Sequence, residues 1–281
     1  EGKNVEIPSL SLSDRRYLNI KGKASVQNWA AKQNMYLQAN LTNLSVTKSG
    51  IGYLMNNLTG SVPPILQRLE FVQFRGTADG YLRDLLVNGS LQTGAGSLRA
   101  DMLINTDKNL NRTYTGELVS DNLHLGTLLG DNKFGQTNFN IELEGFNYQN
   151  KYPESNIKGV ISSLEYSGYR YENITMDGLY KDGGFNGHLA LDDENGAIQI
   201  DGSFNTSRRV SDFNLQASVK NLRPNELNIS DKYVDSDISL LLTANFTGSS
   251  INDMNGSIRL DSLVMNAPED QGYALDNLTI L

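Results

Sequence analysis

The chain has 281 residues, a formal net charge of −8 and no cysteine. This acidic balance argues against a protein that binds nucleic acid or anionic lipid head groups through a basic surface. The lack of cysteine excludes disulfides, thiolate metal sites and cysteine nucleophiles. No apolar run reaches the length of about 18 residues that a transmembrane helix requires, so we expect no membrane anchor within these residues.

Alternation of apolar and polar residues recurs along most of the chain. Because side chains of a strand point to opposite faces in turn, such alternation predicts strands with one apolar face. In chain order, the apolar members of the clearest examples are Met35, Leu37, Ala39 and Leu41; Leu98, Ala100, Met102 and Ile104; Phe139, Ile141 and Leu143; Ile198, Ile200, Gly202 and Phe204; Phe213, Leu215, Ala217 and Val219; Ile238, Leu240 and Leu242; Met254, Gly256, Ile258 and Leu260.

Helical signals are few and short. They cover 50–58, 63–71 and 125–130, and the Pro63-Pro64 pair is typical of a helix start. Turn signals such as DNKFG, KDGG, DDENG and NTSRR separate the predicted strands. The chain is therefore expected to be all-β, with a few short helices.

An internal repeat is visible in the second and third parts of the chain. VNGSL returns as FNGHL, DNLHL as KNLRP, FNIELEG as ISLLLTA, NIKGVISSL as DMNGSIRLDSL, and GYRYENITM as GYALDNLTI, in the same order. We therefore predict three units: a degenerate β repeat at 1–86, and β repeats at 87–184 and 185–281.

A repeat of this size fits either a β-sandwich domain or a module of one continuous sheet. No linker interrupts 176–190, where MDGLYKDGGFNGHL is typical of a hairpin. The chain also ends on the apolar segment LDNLTIL, so we expect the sheet to continue in a longer protein. These features favour one continuous, elongated sheet, as an open-ended repeat array.

Three segments resemble the translocation and assembly module TamB, particularly the long forms from Bacteroidetes. They are GELVSDNLHLGTLLGDNKFG (116–135), GVISSLEYSGYRYENITMDGLYKDGGFNGHLALDD (159–193) and QIDGSFN (199–205). The resemblance covers most of 80–281. TamB is grouped with the AsmA-like envelope proteins and with bridge-like lipid transfer proteins, whose β-sheet curls into a trough with an apolar inner face (β-taco-like). The resemblance therefore implies an elongated, strongly curved continuous sheet that forms an open apolar groove.

The resemblance implies a periplasmic part of a protein anchored in the inner membrane, with the anchor absent here. It implies phospholipid acyl chains as ligands, and a TamA/BamA-type outer-membrane barrel as a partner of regions outside this chain. The implied role is to conduct phospholipid between the two membranes and to support outer-membrane protein assembly. The groove would be lined by Phe139, Ile141, Leu143, Phe213, Leu215, Val219, Ile238, Leu240, Leu242, Ile258 and Leu260. Glu142, Glu144, Asn255 and Arg259 are expected on the opposite, polar face.

No constellation of residues predicts an enzyme, a cofactor site or a metal site. His124 and His188 lack the neighbours of a catalytic triad, and we interpret them as surface or capping residues. The contiguous acids of LDDENG lack the spacing of a calcium loop and are more typical of a hairpin turn. A tandem β-sandwich cell-surface adhesin and a passive envelope scaffold are the alternative functions.

Overall fold

The structure is a computed structural model, and it describes residues 3–14, 16–31, 34–59, 62, 64–109, 111–147, 154–207, 209–232, 234–249, 253–268 and 272–281. The chain divides into two compact units, Glu1–Gln149 and Asn150–Leu281. The predicted repeat boundaries stay a prediction: residue 86 lies inside a strand, and residue 184 is the first residue of another.

In the first unit the structure describes nine strands and three helices. Its strands are β1 (Val5–Asp14), β2 (Leu18–Gln27), β3 (Tyr36–Thr47), β4 (Phe71–Tyr81), β5 (Asp84–Thr93), β6 (Gly96–Thr106), β7 (Arg112–Asp121), β8 (Leu123–His124) and β9 (Phe134–Asn147). Its helices are α1 (Lys48–Thr59), α2 (Pro64–Gln67) and α3 (Leu125–Leu129). Each of the three predicted helical segments is confirmed by one of these helices. Pro63, half of the predicted Pro-Pro start, lies outside the described residues.

The second unit contains nine described strands. They are β10 (Glu154–Tyr166), β11 (Tyr169–Lys181), β12 (Gly184–Asp193), β13 (Gly196–Asn205), β14 (Asp212–Leu222), β15 (Asp237–Thr247), β16 (Asn255–Asn266), β17 (Tyr273–Leu275) and β18 (Leu278–Ile280). From β10 to β16, each strand pairs antiparallel with the next. Both short strands β17 and β18 pair with β16.

The coarse prediction of an all-β chain is confirmed, because strands make up 69% of the structure. In each unit the described strands belong to one antiparallel sheet, which is curved and does not close on itself. In the first unit, β1 to β7 pair in chain order and β9 then pairs with β7. A β-sandwich would instead place two sheets face to face within a unit.

The hairpin predicted within 176–190 is confirmed. Lys181 lies opposite Gly184, and only Asp182 and Gly183 connect β11 to β12. These two residues have φ values of 50° and 74°. Positive φ at both central residues defines a type I′ turn, whose twist matches that of the flanking strands. Because glycine adopts positive φ without a steric cost, the KDGG sequence suits this turn.

The densest apolar packing of the first unit lies where the helices meet the ends of β2, β3 and β4. Val46, Ile51, Leu69 and Ala95 form a buried cluster there. Half-buried side chains packed against the cluster are Leu18, Leu44, Leu54, Met55, Val62, Leu66, Val72 and Leu128. Because the helices are short, this buried core covers only one end of the strands. Along the rest of the sheet, no helix packs on the apolar side chains of the described strands.

One hydrogen bond recurs at the same place in both units. The amide of His124 donates to the carbonyl of Ala95 over 2.5 Å, and the amide of Arg223 donates to the carbonyl of Asn195 over 2.8 Å. Each bond ties a residue shortly after one strand, β7 or β14, to the turn between the two strands that precede that strand. His124 and Arg223 occupy the same position of the repeated segments DNLHL and KNLRP, and the two units share local geometry here.

The residues two positions before His124 and Arg223 are also alike. Asn122 and Asn221 have left-handed φ values of 51° and 47°. The amide of Asn122 donates to Oδ1 of Asn138 over 2.7 Å, and the amide of Asn221 donates to Oγ of Ser239 over 2.9 Å. Asparagine tolerates the left-handed conformation better than most residues, which accounts for its presence at both positions.

Candidate functional site

The strand register places all groove residues predicted for the second unit on one face, the apolar face. Val219 lies opposite Leu240, and Leu240 lies opposite Leu263. Directly opposed residues of an antiparallel pair project from the same face, so this face can be followed from strand to strand. Its predicted members are Phe213, Leu215, Val219, Ile238, Leu240, Leu242, Ile258 and Leu260.

The three predicted groove residues of the first unit also share a face. Leu143 lies opposite Gly116, and Ile141 lies opposite Leu118. Phe139 has the same parity in β9, so its side chain projects to the same side. The apolar face of this unit continues through β6 and β5, where Ala100, Met102, Val87 and Leu91 follow in register.

The two faces differ in exposure. Ile141 and Leu143 are half-buried, whereas Glu142 and Glu144 between and beside them are exposed. Asn255 and Arg259 are likewise exposed on the polar face of the second unit. Within each unit, the strands that contact one another extensively are hydrogen-bonded neighbours. The half-burial of the apolar side chains therefore comes mainly from packing along their own face.

Five aromatic residues form one row on the apolar face of the second unit, which we call the aromatic row. Tyr180, Phe185, Phe204, Phe213 and Phe246 lie opposite one another on five successive strands, β11 to β15. The rings of Phe213 and Phe246 stack with centroids 4.7 Å apart, and those of Phe185 and Phe204 are 6.0 Å apart. The row runs along the strand ends that carry the β11–β12 turn.

Sequence reasoning named only Phe213 of this row as a groove residue, although it also placed Phe204 on the apolar face of its strand. A signal was present, because aromatic residues flank the connections in YKDGGF and FNTSRRVSDF. An aromatic residue at each end of a hairpin connection is placed directly opposite its partner when the register is symmetric about the turn. Recognition of this pattern would have predicted Phe185 and Phe204 as partners of Tyr180 and Phe213.

Glycines lie beside the aromatic row and let the rings lie close to the backbone. A Cβ atom added to Gly178 would lie 2.6 Å from Cζ of Phe185. In the first unit a Cβ atom on Gly76 would lie 2.9 Å from Cζ of Phe74. Covering a strand glycine with a neighbouring aromatic ring restores the packing that the missing side chain would give. Beside the rings, no side chain therefore rises above the backbone of the apolar face.

The connection after β14 covers the strand ends that lie opposite the aromatic row. Leu227 in this connection is 0% exposed. Its carbonyl accepts a 2.7 Å hydrogen bond from the hydroxyl of Tyr171, and the side-chain amide of Asn228 donates to the carbonyl of Ser167 over 3.2 Å. Since β12 and β13 lie between β14 and the β10–β11 hairpin, segment 223–230 crosses their ends. We call this line of strand ends the covered rim.

The polar face carries polar side-chain pairs between neighbouring strands, including a lysine–aspartate ion pair. Nζ of Lys158 lies 3.0 Å from Oδ2 of Asp177, and Nδ1 of His188 lies 2.8 Å from Oδ1 of Asp201. These side chains are largely exposed, so each pair contributes little to stability. The expectation that His188 is a surface residue is confirmed.

The other histidine has a capping role, as expected. Nδ1 of His124 accepts a 3.2 Å hydrogen bond from the amide of Thr127 at the start of α3. The acidic cluster at 192–194 is also placed as predicted, because Asp193 lies opposite Gly196 at the β12–β13 turn. Among the described residues, no group of three or more His, Cys, Asp or Glu side chains is arranged to hold a metal ion.

Two tyrosine–aspartate pairs perturb the ionisation of their members. Burial, with a further contribution from its 2.5 Å hydrogen bond to Asp193, raises the pKa of Tyr169 to about 12. Hydrogen bonds from the Tyr36 hydroxyl and from Gln38 lower the pKa of Asp79. Both pairs join neighbouring strands through a side-chain hydrogen bond, and we interpret them as structural contacts.

In the part of the chain that the structure describes, no helix has the length and apolar character needed to cross a membrane. No protein-family model, no curated protein and no solved structure matches the chain.

Proposed function

We propose that this chain is a non-enzymatic lipid-binding segment of a periplasmic bridge similar to TamB and the AsmA-like proteins. Phospholipid acyl chains would lie on the apolar faces, which together would form the predicted groove and repeat array. The observation that carries the proposal is the uninterrupted apolar face of each sheet, which is half-buried and lies opposite an exposed polar face.

The energetics of burial favour an apolar ligand on this surface. Removal of apolar surface from water stabilises a complex by about 25 cal/mol per Å², or about 0.8 kcal/mol per methylene. An acyl chain that buries about ten methylenes would therefore gain on the order of 8 kcal/mol, before the cost of ordering the chain. Leu240, Leu242 and Leu260 supply methyl groups on adjacent strands for such contacts.

The composition of the face favours movement along it over tight binding at one point. Across β13 to β16 the register joins Ile198, Val219, Leu240 and Leu263 in one row. Such a row offers no charged or hydrogen-bonding group that would fix one part of an acyl chain. Similar contacts at each step give similar binding energies, which is the condition for transfer along a surface.

The remaining features of the proposal come from the resemblance. They are an inner-membrane anchor and a TamA/BamA-type outer-membrane partner, both outside this chain, and a role in outer-membrane protein assembly. A passive envelope scaffold needs only the hydrogen-bonded sheet and makes no use of the apolar face, so the presence or absence of bound lipid separates the two functions.

Native mass spectrometry of the purified chain tests the proposal. We expect masses of protein with added phospholipid, and fewer bound phospholipids per chain in Ile141→Lys, which places a charge on the apolar face of the first unit. Glu142→Lys, the neighbouring change on the polar face, should keep the bound lipid. Lipid-free wild-type protein that also takes up none from phosphatidylcholine vesicles would contradict lipid binding and leave the scaffold as the better function.

A further inference from the structure

The polar face of the first unit is sorted by charge. One row of directly opposed residues crosses this face from β2 to β9; it begins with a cation, continues with neutral side chains and ends with three acids. In order, its members are Lys23, Asn40, Thr77, Asn88, Asp101, Glu117 and Glu142. Lys21 lies beside Lys23 on β2, and Glu144 lies beside Glu142 on β9, so each end of the row carries two like charges.

The charges outside this row follow the same order. On β2 to β4 the polar face carries three cations, of which Arg75 is the third, and one acid, Asp79. On the described strands β7 and β9, the charged side chains of this face are all acids. The remaining charged side chains of the face are Glu6 on β1, Asp84 on β5 and Arg99 on β6. One side of the face therefore has a net positive charge and the other side a net negative charge.

Among the residues that the structure describes, the charges at the two ends of the row have no ion-pair partner. Lys21, Lys23, Glu142 and Glu144 are all exposed. In the second unit, by contrast, a cation such as Lys158 pairs with an acid on the neighbouring strand. Because no opposite charge lies in contact on the same face, both sides direct uncompensated charge toward solvent.

Exposed apolar side chains lie between the positive and the negative side. Leu86 on β5 and Leu103 on β6 are directly opposed on the polar face, and they are 46% and 43% exposed. Tyr81 on β4 projects from the same face and is 49% exposed. On the solvent face of an antiparallel sheet, polar residues are expected at such positions. An apolar centre within a charged surround is the composition of a protein interface.

We infer that two copies of this chain associate through the polar faces of their first units. The two-fold axis runs along β5, which places Leu86 of one copy against Leu86 of the other. Strands β2 and β9 are each three strands from β5, on opposite sides of it. The axis therefore brings Lys21 and Lys23 of each copy opposite Glu142 and Glu144 of the other. The same patch serves both partners, as in any two-fold dimer.

Charge selects this arrangement over a two-fold axis that runs across the strands. Such an axis would place the cations of β2 over the cations of the other copy, and the acids of β9 over its acids. Like charges in contact oppose that packing, whereas an axis along β5 brings opposite charges together at both ends. Leu86, Leu103 and Tyr81 lose exposed apolar surface in either arrangement. The apolar side chains thus stabilise the contact, and the charges determine its direction.

The polar face also has room for the side chains of a second copy. On the positive side, a cavity of about 410 Å³ is lined by Lys23 and Gln38 together with other residues of β1 to β4. On the negative side, a cavity of about 410 Å³ is lined by Asp101 and Glu117 together with other residues of β5 to β9. Long side chains of the partner can enter these spaces and approach the charges that line them.

The association should be weak and sensitive to salt. Exposed ion pairs contribute little individually, and added salt screens them. The apolar face of the first unit points away from the contact, so the inference does not depend on the proposed function.

Charge-reversal variants at the two ends of the row provide a matched test. In a dimer of Lys23→Glu, acids lie opposite acids, and in a dimer of Glu142→Lys, cations lie opposite cations. In a mixed dimer of these two variants, both contacts again join opposite charges. Lys220→Glu is the control, because it makes the same charge change at an exposed position of the second unit. Circular dichroism checks that every variant keeps the wild-type fold.

Sedimentation velocity over a range of protein concentrations, in low and in high sodium chloride, gives the dissociation constant of the dimer. We expect a reversible wild-type dimer at low salt, and a several-fold weaker dimer at high salt and for each variant of the row alone. The equimolar mixture of the two variants, and Lys220→Glu, should both dimerise as the wild type does.

A monomeric wild type at low salt would overturn the inference, as would a mixture that dimerises no more tightly than the single variants. A dimer that tolerates high salt and both substitutions would also overturn it, and would indicate contact through the apolar faces instead. Lipid binding is measured separately by native mass spectrometry, so the failure of this inference is distinguishable from the failure of the proposed function.

Discussion

Leu240 and Leu241 are consecutive in β15 and lie on opposite faces of the sheet. Leu240 lies opposite Leu263 on the apolar face, whereas Leu241 lies opposite Ser262 and is 48% exposed. The same substitution at the two positions therefore places a charge on opposite sides of one strand at nearly the same point in the chain.

Leu240→Asp is expected to abolish acyl-chain binding next to β15, and Leu241→Asp to leave it unchanged. A buried charge without a partner costs several kcal/mol, which exceeds the gain from a few methylenes at about 0.8 kcal/mol each. Photocrosslinking of an acyl chain to β15 peptides measures the effect. Both variants must first show the wild-type circular dichroism spectrum. Wild-type crosslinking in Leu240→Asp would argue against binding on the apolar face.

Leu227→Ala should destabilise the second unit by about 2–5 kcal/mol, as expected for a fully buried leucine whose loss leaves a cavity. Ile229→Ala is the control, because Ile229 lies in the same segment and is 53% exposed; its effect should stay within about 0.5 kcal/mol. Urea unfolding followed by circular dichroism gives both values. A loss in Leu227→Ala no larger than in the control would show that segment 223–230 is not firmly packed.

Two glycine substitutions should have opposite signs. Gly183→Ala is expected to destabilise the chain by about 1 kcal/mol or more, because alanine is disfavoured at positive φ. The added Cβ would also meet the side chain of Ser207. Gly52→Ala should stabilise α1 by about 0.5–1 kcal/mol, since nothing lies within 4 Å of the new atom. Thermal unfolding of the two variants measures both changes in stability. Stabilisation by Gly183→Ala would contradict the type I′ geometry of the turn.

Tyr169 should make the stability of the chain sensitive to alkaline pH. Its pKa is raised from 10.0 to about 12 in the folded state, so below pH 10 its contribution to stability is fully present. As the pH rises from 10 to 12, the unfolded phenol ionises while the folded phenol keeps its proton, and stability falls. The difference in unfolding free energy between wild type and Tyr169→Phe should therefore shrink over this range. A difference that is constant with pH would show that burial and the hydrogen bond to Asp193 do not hold the phenol neutral.

The two faces of each strand could be predicted because alternation is a local property. In NFNIELEG, every second side chain projects to the same side in any extended conformation, so Phe139, Ile141 and Leu143 share a face whatever pairs with β9. The hairpin at Asp182-Gly183 was predictable for a similar reason, since the backbone preferences of two residues select the turn. The helices were found from short signals such as the segment that became α3.

Other features depend on which strands meet and in what register. The aromatic row exists because four successive pairings bring Tyr180, Phe185, Phe204, Phe213 and Phe246 opposite one another, and a shift of one residue in any pairing would break it. The burial of Leu227 depends on contacts with Tyr171, distant in the sequence, and no local pattern distinguishes it from exposed Ile229. The sequence by itself thus determined strand faces and turns, which follow from backbone geometry over a few residues. Only the tertiary structure decided the aromatic row and the burial of Leu227 at the covered rim, because both arise from contacts between residues far apart in the chain.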